Sequence, residues 1–327
     1  MLRLWTSLGL LSLAVLSSRS SDDEPDLPAP RPAVAIETDA PLSIDEVSCA
    51  ICHEDVAREW AESAHGLAWV DSAYQKSIRR KRRAKTCYSC HVPEPLVRGS
   101  LARRAKARTD ADTFHLGVTC EACHEDADGA QLGPRGAPTD AHPTRASKFL
   151  TAPGSNELCT VCHATTIGPV IGIADDLTDS GLDEEGLSCV GCHMAPVPVE
   201  SSDEGVPART RRSHALQTPR DPAFLRRAFT LTFHGDRLTL ANATGHRVPG
   251  LEGRELRFEL RLLDEAGELL ETQRTKIDPD AYLPVRGELE VRFERSGASV
   301  QVNAEHHDPR SKDPIPFWDE LLRPEAD

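Results

Sequence analysis

Methionine, aromatic side chains and long apolar runs are all scarce in this chain, and each shortage excludes something. Methionine occurs at two of 327 positions, Met1 and Met194, so a thioether metal ligand has almost no source. Aromatic residues make up 5% of the chain and charged residues 28%. Side chains alone would make a thin core at this length. No apolar run reaches the ~20 residues of a bilayer-spanning helix. Acidic residues outnumber basic ones, 52 to 38, for a formal net charge of −14, which argues against general nucleic-acid binding. Cysteine is present, but none is spare.

All ten cysteines fall in five copies of Cys-x-x-Cys-His: Cys49, Cys52 and His53; Cys87, Cys90 and His91; Cys120, Cys123 and His124; Cys159, Cys162 and His163; Cys189, Cys192 and His193. Each reads as a c-type haem attachment site. Two thiols three positions apart can each form a thioether to one vinyl of the same porphyrin. The imidazole that follows then supplies the proximal iron ligand. Five covalent haems c are therefore expected, and these apolar bodies make up for the thin core. Zinc sites would need the pairs to combine into sets of four ligands; five pairs do not combine evenly. A disulfide scaffold leaves the five histidines unexplained.

Residues 1–20 read as an export signal, with Arg3 as the positive start, Leu8 to Leu16 as a short apolar core and Ser17, Ser18 and Ser20 after it. A periplasmic or extracellular location is expected, because haem attachment takes place outside the cytoplasm. Residues 21–43, rich in Pro, Asp and Glu, read as a disordered linker. Residues 44–222 read as a multihaem cytochrome c domain, short helices and loops around five haems. The motifs start at 49, 87, 120, 159 and 189, too unevenly for a solenoid. The segment 79–108 is basic, led by Arg79, Arg80, Lys81, Arg82 and Arg83. It is read as a solvated face whose arginines neutralise haem propionates; the alternative is a docking patch for an acidic redox partner.

From Phe229 the apolar period changes to two. Leu256, Phe258, Leu260 and Leu262 form the clearest strand, and Gly235-Asp236, Ala266-Gly267 and Ser296-Gly297 mark turns. A small antiparallel β-sandwich is expected over 223–305. The tail, 306–327, is expected to be a strap with a short helix at Trp318–Leu322 and with His306 and His307 exposed.

Each iron needs either a sixth ligand or an open position. Five of the thirteen histidines are proximal. Among the rest, His65 ends Trp60-x-x-Ser63-x-His65, His142 is stiffened by Pro143, His214 stands alone in a polar connector, and His246 sits in a Gly/Pro-framed loop between strands. His115, just before Cys120, either serves another haem or covers the edge of its own. These five are the candidate distal ligands. Equal numbers do not assign the pairs. Bis-His ligation gives lower potentials than His/Met ligation.

The chain resembles the multihaem c-type cytochromes of the cytochrome c-554/c-prime-like group. The resemblance rests on Trp60-x-x-Ser63-x-His65, on Gly117-Val118-Thr119-Cys120-Glu121-Ala122-Cys123-His124, on Cys192-His193-Met194 and on Gly245-His246-Arg247-x-Pro249-Gly250. It spans roughly 45–250, and it implies electron carriers with haems in near-parallel and near-perpendicular pairs. A fifth haem and a C-terminal β-domain set this chain apart from tetrahaem members. The expected function is electron transfer between redox partners through bis-His haems. The alternative is a reductase of nitrite or a similar small oxyanion at one five-coordinate haem.

Overall fold

Cysteines at i and i+3 and a histidine at i+4 share one face only where the chain turns helically. The computed structural model has a helical turn at all five motifs. It describes residues 35–38, 42–151, 155–167, 171–199 and 209–324. The expected signal, 1–20, lies outside these residues, as does most of 21–43.

The helices are short: α1 (Glu54–Ala61), α2 (Ser72–Ile78), α3 (Lys85–His91), α4 (Cys120–His124), α5 (Ser155–His163), α6 (Ile173–Asp179), α7 (Cys189–His193) and α8 (Pro222–Arg226). Motifs two to five end α3, α4, α5 and α7, each with its histidine as the last helical residue. Motif one is a 3₁₀ turn, Ser48–Ile51, in which the His53 N–H donates to the Cys49 carbonyl at 2.9 Å. Two two-stranded ribbons lie between the motifs, β1 (Val97–Arg98) with β2 (Ser100–Leu101) and β3 (Gln131–Gly133) with β4 (Thr144–Ala146), and a third, β5 (Pro196–Val199) with β6 (Arg209–Arg212), follows the last motif. The apolar clusters here are small. Leu96, Val97, Leu132 and Leu158 form one, and Val47, Trp60 and Ala61 another. On α1 the buried residues are Ala57, Trp60 and Ala61.

The C-terminal part is built by period-two alternation. It contains β7 (Phe229–Phe233), β8 (Arg237–Asn242), β9 (Glu255–Leu263), β10 (Leu269–Ile277), β11 (Glu288–Arg292), β12 (Ser299–His307) and β13 (Ile315–Leu322). One antiparallel sheet has the order β10-β9-β12-β13 and the other β11-β8-β7. The turn at Ser296-Gly297 therefore carries the chain from one sheet to the other. Leu256, Phe258, Leu260 and Leu262 on β9 are all at most 1% exposed. They join Leu238 and Leu240 from β8 and Val300 and Val302 from β12 in one apolar cluster. Each such side chain contributes about 1.5–3 kcal/mol by leaving water.

Two expectations for the tail are overturned. Trp318–Leu322 is not a helix but the end of strand β13, paired antiparallel with β12. Pro316 is tolerated because β13 is an edge strand, where the absent N–H breaks no ladder. His306 is not exposed. It continues the inward period of Val300, Val302 and Ala304 and is 1% exposed. His234 is a surface residue beside the β7–β8 turn.

Candidate functional site

Three of the five histidines expected to be proximal each face one of the predicted distal histidines. The ring centroids of His65 and His163 lie 6.2 Å apart, those of His124 and His214 6.1 Å, and those of His193 and His246 6.2 Å. Two metal–imidazole bonds of about 2.0 Å each, plus the reach from nitrogen to ring centre, span about this distance. Each pair therefore fits one iron held between two imidazoles.

The rings are also presented by the correct nitrogen. Nδ1 of His91 meets the Ala68 carbonyl at 2.6 Å, that of His124 the Leu132 carbonyl at 2.8 Å, and that of His193 the Gln217 carbonyl at 2.6 Å. Nδ1 of His214 and His246 meet the carbonyls of Arg212 and Arg247 at 3.1 and 2.9 Å. A proton held on Nδ1 leaves the Nε2 lone pair for the metal. Burial pushes His65 down to about 3, and His193 and His214 down to about 4. All three are thus neutral, as a ligand must be.

His65 is placed by its quoted motif. Ser63 Oγ accepts from the N–H groups of His65 and Gly66, both at 3.2 Å. Trp60 Nε1 donates to the Val118 carbonyl at 2.7 Å, and Val118 N–H donates to the His65 carbonyl at 2.9 Å. This close approach needs glycine at 117, where φ is +58°. A Cβ there would lie 2.5 Å from the His65 carbonyl oxygen and closer still to that of Gly66.

His214 and His246 are placed by residues that carried no signal in the sequence. Glu59 on α1 accepts both Nη groups of Arg211 and the His214 N–H, each at 2.8 Å. Asp176 on α6 accepts from Arg247 N, Nε and Nη2 at 3.0, 2.7 and 2.6 Å. Ile173 and Leu177 share that helix face and press on Gly250 and Gly245, where an added Cβ would lie under 3 Å from them. The i, i+3, i+4 set Ile173, Asp176 and Leu177 is the pattern that could have revealed the dock for the His246 loop. Asn156 ties motifs four and five. Its Oδ1 accepts from Cys189 N–H at 2.9 Å and its Nδ2 donates to the Leu187 carbonyl at 3.2 Å.

The cysteine thiols mark where thioether sulfurs would lie, and they show which motifs are neighbours. Cys49 touches Cys120, Cys90 touches Cys162, and Cys159 touches Cys189. Cys123 lies within electrostatic reach of Cys159 and Cys162. Motif four thus adjoins motifs two, three and five, while motif one adjoins motif three. Cys52 and Cys192, in motifs one and five, are exposed; the other eight cysteines are not.

His53 and His91 differ. Among the described residues, neither shares such a 6 Å pairing with a second imidazole. Tyr74 stacks on His91 with centroids 3.7 Å apart and planes 9° apart. His115 directs Nε2 at Glu46 Oε2, 2.6 Å away. His142 has a buried Nδ1 without a partner among the described residues. The basic side chains Arg79, Arg80, Lys81, Arg82 and Arg83 are solvent-exposed.

Residues 48–125 match the family described as cytochrome c554 and c-prime. Among solved structures, the chain is similar to a penta-heme cytochrome c552 from Thermochromatium tepidum. The match has 17% identity and a TM-score of 0.57, and it covers 86% of this chain and 100% of that one. At that identity the likeness is one of fold. No curated protein matches the chain.

Proposed function

We propose that the chain is a multihaem c-type cytochrome related to the cytochrome c554 and c-prime family, and that it is a periplasmic pentahaem electron carrier with bis-His irons. The observation that carries this reading is the set of three facing pairs: His163 with His65, His124 with His214, and His193 with His246. Haem, when bound, supplies reversible one-electron exchange at iron. The chain supplies the rest. Its cysteines fix five positions, its backbone carbonyls hold the imidazole tautomers, and its burial keeps His65, His193 and His214 neutral. The two C-terminal sheets act as a sandwich that delivers His246. Motif four is the junction of the array, and the exposed motifs one and five are the ends where donor and acceptor proteins meet it.

The test is an EPR and magnetic circular dichroism spectrum of the exported holoprotein and of His246→Ala, with haem number counted by mass. One low-spin ferric signal should convert to high spin in the variant. An unchanged spectrum, or fewer than five haems, would sink the reading.

One observation favours a second reading, a reductase of nitrite or a similar small oxyanion at one five-coordinate haem. His115 would have to leave Glu46 to reach an iron, and His53 and His91 lack a facing imidazole among the described residues. A high-spin ferric signal in the unmodified protein that shifts on adding nitrite or cyanide selects this reading. Its absence selects the carrier.

A further inference from the structure

The basic run 79–108 lies in solvent at its leading arginines, yet Arg220 and Arg254 are buried and clustered with a partly buried Arg310. Arg220 is 2% exposed and Arg254 8%. Arg310 pairs with Asp308 at 2.8 Å, and Arg254 approaches Asp308 at 3.4 Å. Asp71, at the N-terminus of α2, lies 3.9 Å from Arg310. His306, whose Nδ1 faces the Pro219 carbonyl at 3.0 Å, completes the cluster. Three guanidinium charges thus face two carboxylates. Arg220 Nε and Nη2 are both buried with no partner among the described residues. A buried guanidinium edge left unpaired is costly, and its fork geometry matches a carboxylate side-on.

We propose that the Nε–Nη2 edge of Arg220 binds a propionate of the haem on the Cys87–His91 motif. The placement follows from Asp71, which belongs to the cluster and lies within electrostatic reach of the His91 imidazole. Three residues before Asp71, Ala68 holds His91 Nδ1. Tyr74, stacked on His91, has in its hydroxyl a second buried donor with no partner among the described residues. Burial already pushes the Arg220 guanidinium down to about 10, an imbalance that a carboxylate partner relieves. The β-unit residues Arg254, His306, Asp308 and Arg310 would then set the charge around a haem held by the N-terminal part. This inference rests on the proposed haem occupancy of motif two, which the haem count by mass tests separately.

The experiment is a redox titration of the holoprotein followed by EPR, for the parent, Arg220→Gln and Arg220→Lys. Loss of a positive charge beside a propionate favours the ferric state, so one midpoint potential should fall in Arg220→Gln and fall less in Arg220→Lys. The moving signal should be one that His65→Ala, His214→Ala and His246→Ala leave unaltered. No shift, a uniform shift of all signals, or a shift in a signal marked by those three variants would overturn the proposal. Should Arg220→Gln fail to fold, the Lys variant still decides. Calorimetric titration of the holoprotein with phosphate, acetate and nitrite is the other arm. Binding that disappears in the Arg220 variants would make the partner a free oxyanion and overturn the propionate.

Discussion

Replacing Gly117 by alanine tests the placement of His65 directly. Gly117 has φ +58° and ψ −132°, outside the left-handed helical well and essentially open only to glycine, so an L-residue there costs about 1–3 kcal/mol. The added Cβ would also meet two carbonyl oxygens, of His65 at 2.5 Å and of Gly66 closer still. Backbone must move to relieve that contact, adding about 1–3 kcal/mol of overpacking. A total loss of about 2–6 kcal/mol is expected. Gly129 provides the control, because its φ is +78° and nothing lies within 4 Å of an added Cβ. Gly129→Ala should lose only about 1–2 kcal/mol. The assay is denaturant unfolding followed in the Soret band, paired with EPR at low denaturant. Gly117→Ala should weaken the low-spin signal that His65→Ala abolishes, and Gly129→Ala should not. Equal stability losses in the two variants would refute the reasoning. So would a Gly117→Ala loss with no change in that signal.

Asp176→Asn removes the charge that holds Arg247, at a cost of about 1–3 kcal/mol. High-spin haem should appear on warming at lower temperature than in the parent, and only in the signal marked by His246→Ala. Glu59→Gln weakens the anchor of Arg211 and His214 and should affect the His124–His214 signal alone, by a similar amount. His306 gives a pH dependence. Burial pushes its imidazole from 6.5 down to about 4, so below 6.5 the unfolded chain takes up a proton that the folded chain refuses. Stability is full above pH 6.5 and falls as pH drops toward 4, by at most on the order of 3 kcal/mol from this group. Melting temperatures at pH 7.5 and 5 should therefore converge in His306→Gln; an undiminished difference would show that His306 is not the group involved.

Much of the β-unit was legible because strand alternation is local. Leu256, Phe258, Leu260 and Leu262 announce an inward face, and Gly235-Asp236 and Ala266-Gly267 announce turns. The tail was misread for the same reason. Pro314 and Pro316 look like breakers in a local window, and only the position of β13 at the sheet edge makes Pro316 harmless. His306 looked exposed beside polar neighbours, but the β12–β9 pairing turns it inward.

The sequence by itself determined where haem can be attached, because Cys-x-x-Cys-His needs only one helical turn and no distant residue. It also narrowed the distal ligands to a few histidines, since methionine was absent where one was needed. Tertiary structure alone decided the pairs. His65 and His163 are 98 positions apart, His124 and His214 90, and His193 and His246 53. What brings them together is the close backbone approach at Gly117, the Glu59 anchor of Arg211 and the docking of α6 on the His246 loop. The local pattern shows at most one side of such a contact, as Ile173, Asp176 and Leu177 do on α6, because each contact joins segments that meet only when the chain is folded.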